Sequence, residues 1–264
     1  MTIRTADGLA LTGYSWPPAR PGGDVMIYFH GNGHNQLVGA QQAQPLAVGG
    51  RGVLVASYRG YGGNPGAPSE TGLFADGDAW LARAAELAQG SRCILFGHSL
   101  GGAVALEMAA RHEVTGVVTL GIFTSIVDMA PGLVRFIMPD RFNNRAALAR
   151  VAEPVFILDG HGDEVVPFSA AAEPERAAPS GNVTVIPLSG AGHQVPLAAM
   201  PNGCGRCSRR ARARCARRLS RSRHRRAQYR RVRPPRPTPP APPARGPVAR
   251  SARRAGWRTA RRRD

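Results

Sequence analysis

The sequence predicts an α/β fold: a mostly parallel sheet with helices on both faces, entered through an N-terminal antiparallel hairpin and followed by a disordered basic tail. Three observations predict it. Six short runs rich in β-branched and aromatic residues recur between residues 25 and 188, stretches with helical periodicity separate them, and nearly all the excess charge sits after residue 200. Short apolar strands alternating with helices imply parallel pairing with both faces covered.

The elements follow in order. Residues 2–15 carry Asp7-Gly8 between two alternating runs and read as the hairpin. The strand runs are VMIYF (25–29), VLVAS (53–57), CILF (93–96), GVVTL (116–120), PVFILD (154–159) and VTVIP (183–187). Over 73–89, Leu73, Trp80, Leu81, Ala84 and Leu87 form one stripe, and LGGAVALEMAAR at 100–111 reads as a second helix. Between 120 and 154, Ile126, Met129, Leu133, Val134 and Ile137 form a further stripe, read as packing on the sheet in preference to lining an acyl pocket.

The net charge of +18 over 264 residues is unevenly spread. Residues 1–200 hold 12 Arg against 16 Asp and Glu, whereas 201–264 hold 23 Arg and one acid, Asp264. The chain is therefore read as a globular domain over 1–200 and an Arg/Pro-rich tail over 201–264. The tail has nine Pro, and its aliphatics are Leu219, Val232 and Val248, too few to offset chain entropy by burial. A segment of this charge binds nucleic acid and other polyanions nonspecifically. It has no helix-turn-helix or RNA-binding motif, and Tyr229 and Trp257 are too few for stacking, so no specific nucleic acid is expected. Cys204, Cys207, Cys215 and His224 share only one familiar ligand spacing, and no metal or cofactor is expected. The composition after 200 is what a GC-rich gene yields when read out of frame. No run is long and apolar enough to span a membrane. The N-terminus shows no basic-then-apolar leader, and Cys93 is the one cysteine of the globular part; the expected location is cytoplasmic.

The chemistry concentrates on loops after strands. GHSLG at 97–101 fits G-x-S-x-G, between a buried-strand run and a helix, the setting that lifts a serine hydroxyl above a strand end. Ser99 is the candidate nucleophile. It needs a base and an orienting carboxylate. Asp163, in GHGDEVVP after run 154–159, and His193, in SGAGHQ after run 183–187, stand in the right order. Asp159 lies inside its strand and Glu164 faces away. His98 is too near the nucleophile to act as base, His112 ends a helix, and His161 lies in the acid's own loop. His30 and His34 read as structural. HGNGHN at 30–35 follows run 25–29, so the amides of Asn32 and Leu100 are the candidate oxyanion donors.

These blocks, with ADGLALTGY, SYRGYGGNPGAPSETGLFADG and GIFTSIVDMA, resemble the α/β-hydrolase superfamily over residues 1–200. The similarity is to the small-lid subgroup of esterases, lipid hydrolases and depalmitoylases. The resemblance implies a serine hydrolase acting on carboxylic, lipid or thioester substrates, with Ser99, Asp163 and His193 at the triad positions and Asn32 and Leu100 at the oxyanion positions. It implies a mainly structural role for the loop of Arg59 and Tyr61. The family often carries His where Asp159 stands, and continues after the catalytic His into a helix packed on the sheet. Here QVPLAAM leads directly into the arginine run, so the last helix is expected to be missing. The alternative reading is a poorly folded hydrolase-like protein acting through its tail.

Overall fold

The computed structural model describes residues 1–129, 139–166 and 181–199. The chain divides into two units, Met1–His224 and Arg225–Asp264, and every described residue belongs to the first. The basic tail, the tail cysteines with His224, and Leu133, Val134 and Ile137 lie outside the described residues.

Strands β1 (Thr2–Arg4) and β2 (Ala10–Thr12) form a small antiparallel hairpin of their own, Ile3 facing Leu11. The hairpin ends at Gly13, whose amide donates to the Met1 carbonyl and whose carbonyl accepts from the Met1 amino group, each at 2.9 Å. A Cβ there would meet the Val55 carbonyl at 2.3 Å. Strand β3 (Tyr14–Trp16) then joins the main sheet instead. That sheet contains β4 (Val25–Phe29), β5 (Gly52–Ala56), β6 (Cys93–His98), β7 (Gly116–Leu120), β8 (Val155–Gly160) and β9 (Val183–Leu188). Their order is β3-β5-β4-β6-β7-β8-β9, and only β3 pairs antiparallel.

Alternate residues of the central strands feed two cores. Val25, Ile27, Phe29, Leu95, Val117, Val155 and Ile157 meet α2 (Glu70–Ala88), α3 (Leu100–Arg111) and α5 (Asn144–Leu148). Met26, Tyr28, Val53, Val55, Phe96 and Leu120 face the other way, with Ala40 and Ala43 of α1 (Gln36–Ala43). Leu197, in a single 3-10 turn at Leu197–Ala199, joins this second core, where Ile94, Val118 and Leu158 are only partly buried. The stripe from Ile126 begins as α4 (Ile126–Met129).

Caps set the helix starts. Asn35 accepts from the Leu37 and Val38 amides, and Ser69 from the Gly72 amide. The Ser69 cap starts α2 three residues before the apolar stripe does. Gln89 closes the helix in a left-handed conformation (φ +47°). Trp80 is fully buried, and its indole N–H donates to the Ser57 carbonyl at 2.8 Å. Trp80→Phe strips that carbonyl of its donor at a cost of about 1–3 kcal/mol. A thermal melt should show a Tm lower by roughly 2–10 °C.

Candidate active site

The strand order reverses at β4. The chain leaves β4 for β5 on one side and later lays β6 on the other. Such a switch point opens a crevice at the strand C-terminal ends. Loop 30–35 follows β4 and Ser99 follows β6, so both stand at this crevice.

Ser99 takes φ +51° and ψ −117°, a strained conformation for a residue with a side chain. The turn is forced by closeness. A Cβ on Gly101 would lie 2.1 Å from the Phe29 carbonyl oxygen, and one on Gly97 2.4 Å from the Gly101 oxygen. The Ser99 amide donates to the Leu120 carbonyl (2.9 Å), and Gly102 N–H donates to the Ser99 carbonyl (2.8 Å). Ser99 occupies the N-cap of α3, yet its side chain makes no capping bond. The Leu100 and Gly101 amides therefore open the helix with no acceptor inside it.

Asp163 and His193 meet beside this turn. The Asp163 side chain is 1% exposed, and its Oδ1 accepts from the Val165 and Val166 amides at 2.8 Å each. Its Oδ2 lies 2.8 Å from His193 Nδ1. A carboxylate only accepts, so Nδ1 carries a proton, and in the neutral ring Nε2 is then the nitrogen with the lone pair. A Cβ on Gly121 would lie 3.0 Å from His193 Nδ1 and 3.2 Å from Asp163 Oδ2. Gly121 directly follows Leu120, whose carbonyl holds the Ser99 amide. The ends of β8 and β9 thus bring Asp163 and His193 into contact, and the Ser99 backbone is bonded to Leu120, the neighbour of the Gly121 that packs against that pair.

The other candidates separate cleanly. Glu164 is exposed. His112 caps α3 and pairs with Asp78 (2.7 Å). The His161 side chain is exposed, and its amide donates to the Leu188 carbonyl. His30 is fully buried between the Gly31 carbonyl (2.9 Å) and Ser57 Oγ (3.2 Å), and burial lowers its pKa to about 4. His34 stacks on His98 and accepts from the Gln194 amide group (3.3 Å); burial and the nearby His193 hold its pKa down. Asn32 is exposed, and its Oδ1 accepts from the Tyr61 hydroxyl at 2.5 Å. Leu100 is 6% exposed at the first position of α3.

Comparison with known proteins shows the family to which this fold belongs. The sequence pattern of the alpha/beta hydrolase fold matches residues 24–147. An uncharacterized protein of Mycobacterium tuberculosis is 34% identical over 212 residues, covering 74% of this chain and 72% of the relative. The chain belongs to the α/β-hydrolase family. Human alpha/beta hydrolase domain-containing protein 17B is 31% identical over 151 residues, or 55% of this chain and 52% of that protein. An esterase of Pyrococcus furiosus superposes with a TM-score of 0.63 at 18% identity, covering 83% of this chain and 90% of its own. At that identity the likeness speaks for the fold alone.

Three features of this α/β-hydrolase are not readable from its motifs. The Tyr61 bond to Asn32, the His98 bond to the His193 carbonyl (3.0 Å), and the chain from Tyr28 through Gln42 to Gln194 all join residues far apart in sequence. The sequence marked the YRGYG block but nothing in its spacing shows which tyrosine reaches the loop.

Asp159 is the unusual group. It lies within β8, fully buried, and neither carboxyl oxygen has a partner among the described residues. Burial, with the Asp163 charge adding to it, raises its pKa to about 7. Below the ordinary value of 3.8 both folded and unfolded chains carry the proton. As pH rises from there toward 7 the unfolded chain releases it first, so stability falls, and the full cost persists above 7. Asp159→Asn should therefore raise Tm clearly at pH 8 and hardly at pH 4, as read by paired thermal melts.

Proposed function

We propose that this α/β-hydrolase is a serine hydrolase that cleaves carboxylic esters through an acyl-enzyme on Ser99. The observation that carries the reading is the 2.8 Å bond between His193 Nδ1 and Asp163 Oδ2, at the sheet edge where Ser99 stands on a strained turn. The hydrolase name of the human relative supports hydrolysis as the reaction class.

The steps follow from the groups present. Ser99 Oγ attacks the ester carbonyl while His193 Nε2 takes its proton, and Asp163 steadies the resulting imidazolium. The amides of Leu100 and Asn32 hold the oxyanion; loss of one such donor typically costs about 2.7–4 kcal/mol of transition-state stabilisation. The Tyr61 hydroxyl holds the Asn32 side chain and so steadies that loop. His193 returns its proton to the leaving alkoxide, then activates a water that releases the acid from Ser99. Each step uses side chains, amides and water alone. Thioesters and lipid esters pass through the same steps.

Three measurements test this. Ser99→Ala should lower kcat/KM for p-nitrophenyl acetate by at least about 10³-fold, and a fluorophosphonate probe should label Ser99. Undiminished hydrolysis by the variant rejects the reading. Asp163→Asn favours the wrong imidazole tautomer and should lower kcat by about 10³–10⁴-fold.

A further inference from the structure

We infer that His98 is a positioning residue: by donating its Nε2–H to the His193 carbonyl, it sets the place of the base relative to Ser99. The inference rests on the serine-hydrolase reading above and adds a residue to it.

The geometry gives the bond one direction. His98 Nε2 lies 3.0 Å from the His193 carbonyl oxygen, and a carbonyl cannot donate. His98 must carry its proton on Nε2, which leaves Nδ1 bare. That Nδ1 is buried and has no partner among the described residues. A bare polar atom in the interior costs stability. A side chain serving only to fill the space would be better as Leu or Phe. Histidine therefore carries a loss on one nitrogen, set against the bond that the other nitrogen makes.

What it holds is the residue that matters. His98 ends β6, and that strand is hydrogen-bonded on both sides, to β4 and to β7 with His98 opposite Leu120. The next residue is Ser99. The base, by contrast, lies on a loop beyond β9. Its neighbours are tied by the Gly162 amide to the Ala191 carbonyl (2.9 Å) and by Gln194 to Gln42 (3.2 Å) and His34. The His98 bond reaches the peptide of His193 itself. It therefore links base and nucleophile through a rigid strand end and one hydrogen bond.

The surroundings keep this donor in place through the reaction. His98 is 2% exposed and lies between the rings of His34 (5.4 Å) and His193 (5.1 Å). Burial lowers its pKa to about 4, with His193 and His34 adding to the shift and the His193 carbonyl and Asp163 opposing it. A neutral His98 adds no positive charge beside the imidazolium that forms on His193. Gly31 closes the arrangement, since a Cβ there would lie 3.1 Å from His98 Nδ1 and 3.4 Å from Ser99 Cβ.

The test compares two full-length variants on p-nitrophenyl acetate. His98→Leu keeps the bulk and removes the donor; His98→Gln restores an N–H at similar reach. Misplacing a reacting group by an ångström costs on the order of 10²-fold, so His98→Leu should lower kcat by that order with KM little changed, and slow fluorophosphonate labelling of Ser99 in parallel. His98→Gln should recover most of the loss. Equal losses in both variants, or full activity in His98→Leu, would overturn the inference. Should His98→Leu fail to fold, nitrogen-resolved imidazole spectra of the wild-type protein decide. They should show His98 as the neutral Nε2–H tautomer from pH 5 to 8, and an Nδ1–H tautomer or titration in that range overturns it. Retained hydrolysis in Ser99→Ala would instead reject the parent reading, whatever tautomer His98 shows.

Discussion

The close approach of the first turn of α3 to the end of β4 is the constraint on which the rest of the site depends. Gly101 sits so near the Phe29 carbonyl that no other residue fits without pushing the helix off the sheet. That contact fixes where α3 begins, and with it the strained backbone of Ser99 and the direction of the first helical amides. The strain costs of order 1–3 kcal/mol. It persists because β6 is paired on both sides and α3 is buried along most of its length. A rigid sheet holds one residue in a conformation it would not adopt alone.

Around that turn, the protein treats two carboxyl groups four residues apart in opposite ways. Asp163 receives two backbone amides and an imidazole, so its negative charge is well met although it is buried. Asp159 points from the strand into the interior and receives none among the described residues. Desolvation penalises the charged form of both, and only hydrogen bonds offset it. The two side chains therefore differ in what their backbones place beside them, not in chemical type. The same logic sorts the histidines. His30 and His98 are buried and kept neutral, whereas His193 lies against a carboxylate.

Much of this was legible in the residues. The strand runs coincide with β4 to β9 to within two residues at each end, because a strand buried on both faces leaves an unbroken apolar run. The helix at 100–111 is legible in full, since the glycine pair and the elbow mark its start. Strand β3 is not separable from the hairpin in the sequence, because nothing in Tyr14–Trp16 distinguishes pairing with β2 from pairing with β5. Helix α1 carries only a faint amphipathic pattern in QLVGAQQA, and its cap at Asn35 is the last residue of the HGNGHN loop. The candidate residues Ser99, Asp163 and His193 stand out in the sequence by their order and by the strand runs before them.

The sequence by itself determined the alternation of strand and helix, the positions of the sheet-edge loops, and the residue types standing on them. These are local properties: periodicity, turn chemistry and apolar runs are written within a few neighbours. Only the tertiary structure decided which side chains share a hydrogen bond, such as His98 with the His193 peptide across 95 residues, or Tyr61 with Asn32 across 29. It alone decided that Asp163 is satisfied while Asp159 finds no side-chain partner among the described residues. Those outcomes depend on how far one strand end stands from the next and which way each side chain leaves it. No local pattern carries that distance.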